Sequence, residues 1–328
     1  MTFPIVTLIV VPRERFSYAQ TSLDSLYTHT QIPFKLIYVD GNSPKDLRRY
    51  LEQQSVEKGF KLVRKEQYLY PNQARNIGLQ YADTKYITFV DNDVVVSPGW
   101  LSALVQCAEK TDATVVGPLM CQHEPIHQEI HFAGGESHIW VDKLGRRRLR
   151  EKMLHQGKQV ADLRHQLKQG PTELAEFHCV LVRRSIFEQM GQLDEAMLNT
   201  KEHLDFCMTV RELGQSVYFE PAAVVTYVPG RPQKLADVHY YMLRWSNAWT
   251  LESLQHLREK WKLAEDGYFQ TKYKKLGWRR YGTLAKPVAR RLTFGIGSNR
   301  LAPVIGKLEH RLNRYLTNRH RRLTVKSK

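Results

Sequence analysis

Two carboxylates lie two positions apart directly after an apolar run. Asp91 and Asp93, with Asn92 between them, follow the run Tyr86–Val90. Ligands bind beyond the carboxyl ends of strands in open α/β sheets, and paired carboxylates at such a point suit a hard divalent cation. A cation there can neutralise the charge that gathers on a departing diphosphate. The alternative is a loop whose aspartate caps the next helix, because Asp-x-Asp alone is a weak signal.

Other polar residues follow predicted elements at similar points. Asp40 comes after the apolar run Phe34–Val39, in a turn where a carboxylate can hold a base or a ribose. Residues 72–78 supply Arg75 and several amide side chains, and residues 202–205 supply Glu-His-Leu-Asp. Their occurrence together favours a binding site over an isolated turn.

The elements that must position these residues alternate in type. Ile5–Val11, Phe34–Val39 and Tyr86–Val90 are predicted strands, and helical patterns separate them. This alternation predicts an α/β fold with a doubly wound, mostly parallel sheet in a domain that spans residues 1–230. Within it, the pattern loosens between 122 and 176 into a stretch rich in His and Arg.

The positive charge is confined to the C-terminal part of the chain. Residues 1–257 contain 29 Lys/Arg and 29 Asp/Glu, whereas residues 258–328 contain 20 Lys/Arg and 4 Asp/Glu, so the net charge of +16 lies in the latter. We predict a helical, basic extension over 231–328. It includes one helical pattern over 236–262 and a basic amphipathic helix whose apolar residues are Leu301, Val304, Ile305, Leu308, Leu312 and Tyr315.

Such an extension suits an anionic membrane surface, and nucleic acid is the less expected partner. A solvated tail without a partner is the alternative. No run approaches the ~18 apolar residues of a transmembrane helix, and the N-terminus lacks a secretory signal. The scattered cysteines fit reduced thiols. We therefore expect a cytoplasmic protein that can bind peripherally at the inner membrane face.

In chain order, the motifs over residues 4–230 resemble those of the family 2 glycosyltransferases, which share the GT-A fold. The matching segments are Val11-Pro12, Asp40, Ala74-Arg75-Asn76-Ile77-Gly78, Phe89-Val90-Asp91-Asn92-Asp93, Gly191-Gln192-Leu193-Asp194-Glu195, Glu202 with Asp205, and Gly214 to Pro221.

The resemblance implies a metal-dependent hexosyltransferase that inverts the anomeric centre. Its donor would be a nucleoside-diphosphate sugar, UDP- or dTDP-linked, and its acceptor a saccharide or lipid-linked hydroxyl. The implied roles are base and ribose binding by Asp40, phosphate binding by Arg75, further donor contacts by Pro12, Asn76 and Asp91, and ligation of Mg²⁺ or Mn²⁺ by Asp91 and Asp93.

The residue that deprotonates the acceptor is open, because the family's usual Glu-Asp is Glu-His here. Glu202, His203 and Asp205 compete, and we favour Glu202 with Asp205 as the alternative. The family often has a metal-binding His after the Gly…Pro run, where this chain has Tyr227. Metal ligands beyond Asp93 therefore also stay open.

Other functions are less well supported. A sugar-nucleotide nucleotidyltransferase normally has a Gly-rich loop after its first strand, and Pro12-Arg13-Glu14-Arg15 contains no Gly. A non-catalytic basic protein that binds membrane or nucleic acid has no need of acidic residues at successive strand ends. The zinc-peptidase pattern His123-Glu-x-x-His127 requires a continuous helix, which Pro125 would break.

Overall fold

The computed structural model describes residues 4–228 and 235–326. Its centre is a ten-stranded sheet, with a two-stranded sheet besides. The strands are β1 Val6–Val11, β2 Phe34–Gly41, β3 Lys61–Lys65, β4 Tyr86–Asp91, β5 Val94–Val96, β6 Val115–Gln122, β7 Glu129–Phe132, β8 Gly135–Val141, β9 Arg147–Met153, β10 Gly170–Pro171, β11 Cys179–Arg183 and β12 Val217–Tyr227.

The large sheet has the order β10-β12-β6-β11-β4-β1-β2-β3, with β5 paired to β12 and β7 to β6. β1 pairs in parallel with β2 and β4, and β3 pairs in parallel with β2. β11 is antiparallel to both β4 and β6. Every residue of β1 and β4 is buried, as expected for central strands of a covered sheet. The predicted α/β fold with a mostly parallel sheet is confirmed.

Helices connect these strands. They are α1 Ala19–His29, α2 Lys45–Lys58, α3 Pro71–Leu79, α4 Trp100–Thr111, α5 Val160–Leu163, α6 Ile186–Met190 and α7 Glu202–Glu212. α3 lies very close to β1, because a Cβ atom at Gly78 would lie 2.3 Å from Ile9 Cγ2. Glycine at this position lets α3 bring its polar residues near the ends of β1 and β4.

The stretch between 122 and 176 has regular structure that its loosened pattern did not predict. β7 adds to the large sheet, and β8 pairs with β9 as an antiparallel hairpin. This hairpin is half exposed and rich in charged side chains, so its strands lack the apolar runs of the central sheet. His123 and His127 lie in the turn between β6 and β7, which agrees with the rejection of a zinc-peptidase helix.

The C-terminal part is helical in the residues that the structure describes. It contains α8 Leu235–Arg244, α9 Asn247–Lys260, α10 Gly267–Lys274, α11 Trp278–Arg280, a π-helical turn Tyr281–Ala285, α12 Lys286–Leu292 and α13 Ser298–Lys326. The single helical pattern predicted over 236–262 is two helices, because the chain is extended at Ser246, whose hydroxyl caps α9 by accepting from Trp249 N at 3.2 Å.

α13 is amphipathic, but its apolar stripe faces outward. Val304, Leu308, Leu312 and Tyr315 are each between 51% and 61% exposed. The buried face is largely polar, with Asn313, Thr317 and His320. Asn313 Nδ2 donates to Met242 O at 2.6 Å, which ties α13 to α8. No helix in the described ranges combines the length and apolar character needed to cross a bilayer.

Candidate active site

The ends of β1 and β4 meet at one turn. Asn92, directly after β4, holds this turn because its side-chain oxygen accepts from Arg13 N and its backbone N–H donates to Val11 O, each at 2.9 Å. On the other side of β4, Asp91 N donates to His178 O at 2.9 Å, just before β11 begins. The parallel pair and the antiparallel neighbour therefore bring Asp91, Asp93 and His178 together.

These three side chains form a group able to hold a metal ion. One ligand atom from each lies within 4.8 Å of the others, and all three residues are buried. Neither carboxylate oxygen of Asp93 accepts a hydrogen bond from the described residues. His178 Nδ1 lies 2.9 Å from Asp91 Oδ2 but lacks the alignment of a hydrogen bond.

The electrostatics of this group favour a cation. Burial, followed by the charge of Asp91, raises the pKa of Asp93 well above its ordinary value. Burial also lowers the pKa of His178 well below its ordinary value, so its imidazole is neutral and able to ligate. Unpaired buried oxygens are costly, and a divalent cation with oxygen and imidazole ligands removes that cost. The two carboxylates are ligands that suit Mg²⁺ or Mn²⁺.

His178 was missed by sequence reasoning. It lies outside the Asp-x-Asp segment, and only its place before the short apolar strand β11 could have marked it. Tyr227, at the position where the family often has a His, stacks on the His178 ring with centroids 3.9 Å apart. Its hydroxyl donates to Glu14, which also accepts from Arg279 at 3.0 Å.

Arginines link the candidate metal site, formed by Asp91, Asp93 and His178, to α7. Arg13 Nε lies 3.4 Å from Asp91 Oδ2, and its Nη1 lies 3.3 Å from Glu202 Oε1. Arg244 Nη2 lies 3.5 Å from the same Glu202 oxygen. Arg75, fully buried, lies 3.3 Å from Asp91 Oδ1 and so holds this carboxylate in place. Sequence reasoning did not assign a site role to Arg13 or Arg244, since isolated arginines carry no motif.

The three candidates for the base have different surroundings. Glu202 lies at the arginine cluster, and its Oε2 has no hydrogen-bond partner among the described residues. His203 Nε2 lies 3.4 Å from Glu176 Oε1, and burial lowers the pKa of His203 to about 3 while it raises that of Glu176 to about 8. Burial therefore disfavours the charged form of both members of this pair.

Asp205 is engaged elsewhere. Its carboxylate accepts from Trp261 Nε1 at 2.8 Å and from Lys260 Nζ at 2.7 Å, both at the end of α9. These contacts join α7 to the C-terminal helices. Of the three candidates, Glu202 is the one whose carboxylate shares Arg13 with Asp91.

The remaining predicted donor residues lie around the same sheet edge. Asp40 accepts from Ser43 N at 2.9 Å and pairs with Arg64, so its carboxylate is already well bonded. Asn76 Nδ2 donates to Leu193 O at 2.9 Å, which fixes the Gly-x-x-Asp-Glu segment to α3. Pro12 O accepts from the hydroxyl of Tyr240 at 3.3 Å.

Residues of the C-terminal helices contact the site. Arg279 reaches Glu14 and places its guanidinium 4.0 Å from the centroid of the Trp245 ring. Asp91 and Asp93 are fully buried.

Comparisons with known proteins agree with this geometry. The family model described as Glycosyl transferase family 2 matches residues 7–191. The chain is 22% identical over 265 residues to the uncharacterized protein y4gI of Sinorhizobium fredii, covering 74% of this chain and 28% of that protein. It is 27% identical over 195 residues to the O-antigen biosynthesis protein RfbC of Myxococcus xanthus, covering 58% of this chain and 15% of that protein. The chain thus spans less than a third of either relative.

A solved structure is similar in fold. The crystal structure of GalNAc-T7 with UDP, GalNAc and Mn²⁺ matches with a TM-score of 0.52 and 16% sequence identity, over 84% of this chain and 56% of that chain. This likeness concerns the fold, which is of the GT-A type.

Proposed function

Because the chain belongs to Glycosyl transferase family 2, we propose that it is a metal-dependent glycosyltransferase. It transfers a hexose from a nucleoside-diphosphate donor, UDP- or dTDP-linked, to a hydroxyl of a saccharide or lipid-linked acceptor, with inversion. The observation that carries this proposal is the buried Asp91, Asp93 and His178 group with its unpaired oxygens. The fold likeness to a transferase crystallised with UDP and Mn²⁺ supports it.

Asp91, Asp93 and His178 would hold Mg²⁺ or Mn²⁺, which supplies positive charge opposite the leaving diphosphate. Arg13 lies beside Asp91 and adds positive charge to the same region. Arg75 keeps the Asp91 carboxylate oriented. Asp40 would contact the base and ribose, Pro12 would contact the donor, and Asn76 positions the segment after α6.

Glu202 acts as the general base. Its free Oε2 accepts the proton of the acceptor hydroxyl while the oxygen attacks the anomeric carbon from the face opposite the diphosphate. The new carbon–oxygen bond forms as the bond to the diphosphate breaks, so the anomeric centre inverts. Arg13 and Arg244 hold the other Glu202 oxygen and so fix the direction in which Oε2 points.

We also propose that residues 1–230 form the catalytic domain and residues 231–328 an extension that binds the anionic inner face of the membrane. The excess of Lys/Arg in the extension and the outward apolar stripe of α13 support this arrangement. Such binding would make the protein peripheral at the cytoplasmic side, where lipid-linked acceptors can be reached.

Thermal shift with a panel of nucleotides tests the function directly. UDP, GDP, dTDP and CDP are each added with and without Mn²⁺, because a ligand that binds the native state raises the melting temperature. We expect UDP or dTDP to raise it only when Mn²⁺ is present. A panel in which no diphosphate gives a metal-dependent shift would refute the proposal.

A further inference from the structure

Two cavities lie on either side of the segment 276–278 and share it as a wall. The smaller, of about 210 Å³, is also lined by Thr200, Trp245 and Arg279. The larger, of about 550 Å³, lies between this segment and α13, and we call it the basic groove. The cationic residues that line the basic groove are Lys274, Arg280, Lys307, Arg311 and Arg314.

The basic groove has a strong excess of positive charge. Among the described residues that line it, Glu309 is the acidic one, and Arg280 Nε pairs with it at 2.6 Å. The other four cations form no ion pair with any carboxylate that the structure describes. Four uncompensated cations around a concave surface favour an anion with several charged oxygens, such as a phosphate or diphosphate.

The smaller cavity lies on the side of the shared wall that is nearer the candidate active site. The ring centroid of Trp245, in its wall, lies 5.0 Å from the Arg244 guanidinium and 5.9 Å from that of Arg13. These two arginines hold Glu202. Thr200, also in the wall, is two residues before Glu202 in the chain. The smaller cavity is therefore close to the proposed base, and Arg279 lies over the Trp245 ring in its wall.

Exposed apolar side chains occur in the basic groove and beside its lining residues in the chain. Trp278, in the shared wall, is 70% exposed. Leu308 and Leu312 alternate along α13 with Lys307 and Arg311, which line the groove. A ligand with a charged group and an apolar chain meets both kinds of surface here.

We propose that the basic groove binds the phosphate or diphosphate of the acceptor, while the smaller cavity takes its sugar. The acceptor would then be a saccharide with a phosphate-linked apolar chain. This inference rests on the proposed transferase function for the role of the sugar, although phosphate binding itself can be measured without catalysis. The headgroup of a bilayer phospholipid has the same chemistry, so the experiment includes it as a separate arm.

The test uses calorimetry on the full chain, with geranyl diphosphate and inorganic pyrophosphate as probes. The variant Arg311→Glu/Arg314→Glu reverses two charges in the groove. Arg319→Glu/Arg322→Glu makes the same change at exposed positions on the same helix outside it. We expect the groove variant to bind geranyl diphosphate about tenfold more weakly or worse, and the control to stay within about twofold of the parent.

Melting temperature and the Mn²⁺-dependent UDP shift are measured for each variant, and Arg311→Gln/Arg314→Gln serves if charge reversal prevents folding. Equal losses in groove and control variants, or no binding of geranyl diphosphate by the parent, would overturn the proposal. Groove-dependent binding of phosphatidylglycerol vesicles without binding of geranyl diphosphate would also overturn it, in favour of a headgroup site. If geranyl diphosphate binds in the groove but no nucleotide gives a metal-dependent shift, the phosphate site stands and the transferase proposal fails.

Discussion

Asp93 shows how burial, together with a neighbouring negative charge, can favour the binding of a cation. Its two carboxylate oxygens receive no hydrogen bond from the described residues, and Asp91 adds negative charge beside them. Arginines compensate Asp91, but none pairs with Asp93 in the part of the chain that the structure describes. The residue is therefore more stable when protonated or when a cation is bound.

Asp93→Asn should separate metal binding from folding. The amide removes the repulsion with Asp91, so we expect a melting temperature equal to or above that of the parent when no metal is added. The Mn²⁺-dependent shift with nucleotide should disappear, since one ligand is lost. Asp83→Asn, at an exposed residue paired with Lys35, is the control and should keep the shift. A full metal-dependent shift in Asp93→Asn would contradict the site.

Glu202→Gln should lower turnover, whereas Asp205→Asn should lower stability. We expect turnover of the donor that the nucleotide panel identifies to fall by about 10²–10⁴-fold in Glu202→Gln, because the proposed base is lost. Turnover is measured either with an acceptor or as hydrolysis. Asp205→Asn should lower the melting temperature, since Lys260 and Trp261 lose a charged partner, while kcat stays within about threefold. The reverse pattern would identify Asp205 as the base.

Local motifs predicted part of this site and missed the rest for a physical reason. Asp91 and Asp93 follow a buried strand, so their position at the sheet edge could be predicted from the sequence. His178 joins them because β11 inserts antiparallel beside β4, a pairing between distant segments. Arg244 reaches Glu202 from α8, and no spacing in the sequence indicates that contact.

At the scale of elements, α13 is attached to the body of the protein through a polar face. His320, buried on this face, lies 5.4 Å from Trp249 and 5.9 Å from Tyr70, measured between ring centroids. The sequence correctly predicted a basic amphipathic helix in this segment. Its orientation could not be predicted, because an apolar stripe is normally expected to face the core.

His320 should make the stability of the protein depend on pH. Burial, followed by the charge of His239, lowers the pKa of His320 to about 4, whereas the unfolded residue titrates near 6.5. The unfolded state therefore binds more protons between these values, and stability contributed by the neutral ring is lost as pH falls from about 6.5 to 4. The slope for one such group is at most about 1.4 kcal/mol per pH unit.

The variant His320→Asn cannot be protonated in this range. We expect a smaller decrease in melting temperature between pH 7 and pH 5 than in the parent, measured by calorimetry. His310→Asn, at an exposed position on the same helix, should leave the parent's pH dependence unchanged. Identical pH dependence in the parent and His320→Asn would contradict the assignment.

At the scale of the whole molecule, charge and exposed apolar surface coincide in the C-terminal part. Phe294 is 94% and Ile296 84% exposed, in the turn between α12 and α13, and Arg290 and Arg291 lie just before them. Apolar tips beside cations are typical of surfaces that insert into anionic membranes. The net charge of +16 could be located from the sequence. The exposure of Phe294 and Ile296 could not, because it depends on how α12 and α13 fold around the turn.

Phe294→Ser/Ile296→Ser should weaken membrane binding. We expect at least about a fivefold lower partition onto phosphatidylglycerol vesicles, measured by co-sedimentation, because the apolar contribution is lost while the charge is kept. Residual binding should fall as salt is raised. Val56→Ser is the control, since Val56 is also 84% exposed but lies on α2, away from the extension. Equal partition of all three proteins would rule out insertion of this turn.

The burial of Asp91 and Asp93 also bears on how much of the donor would be lost to hydrolysis. Asp91 and Asp93 are buried, and Arg279 on α11 pairs with Glu14, whose charge acts on Asp93. In the proposed transferase, a donor bound at these buried carboxylates would be shielded from bulk water, which is a competing nucleophile. Weakening the contact between Arg279 and Glu14 should therefore raise the proportion of the donor that is hydrolysed, even when the residues proposed to perform the transfer are unchanged.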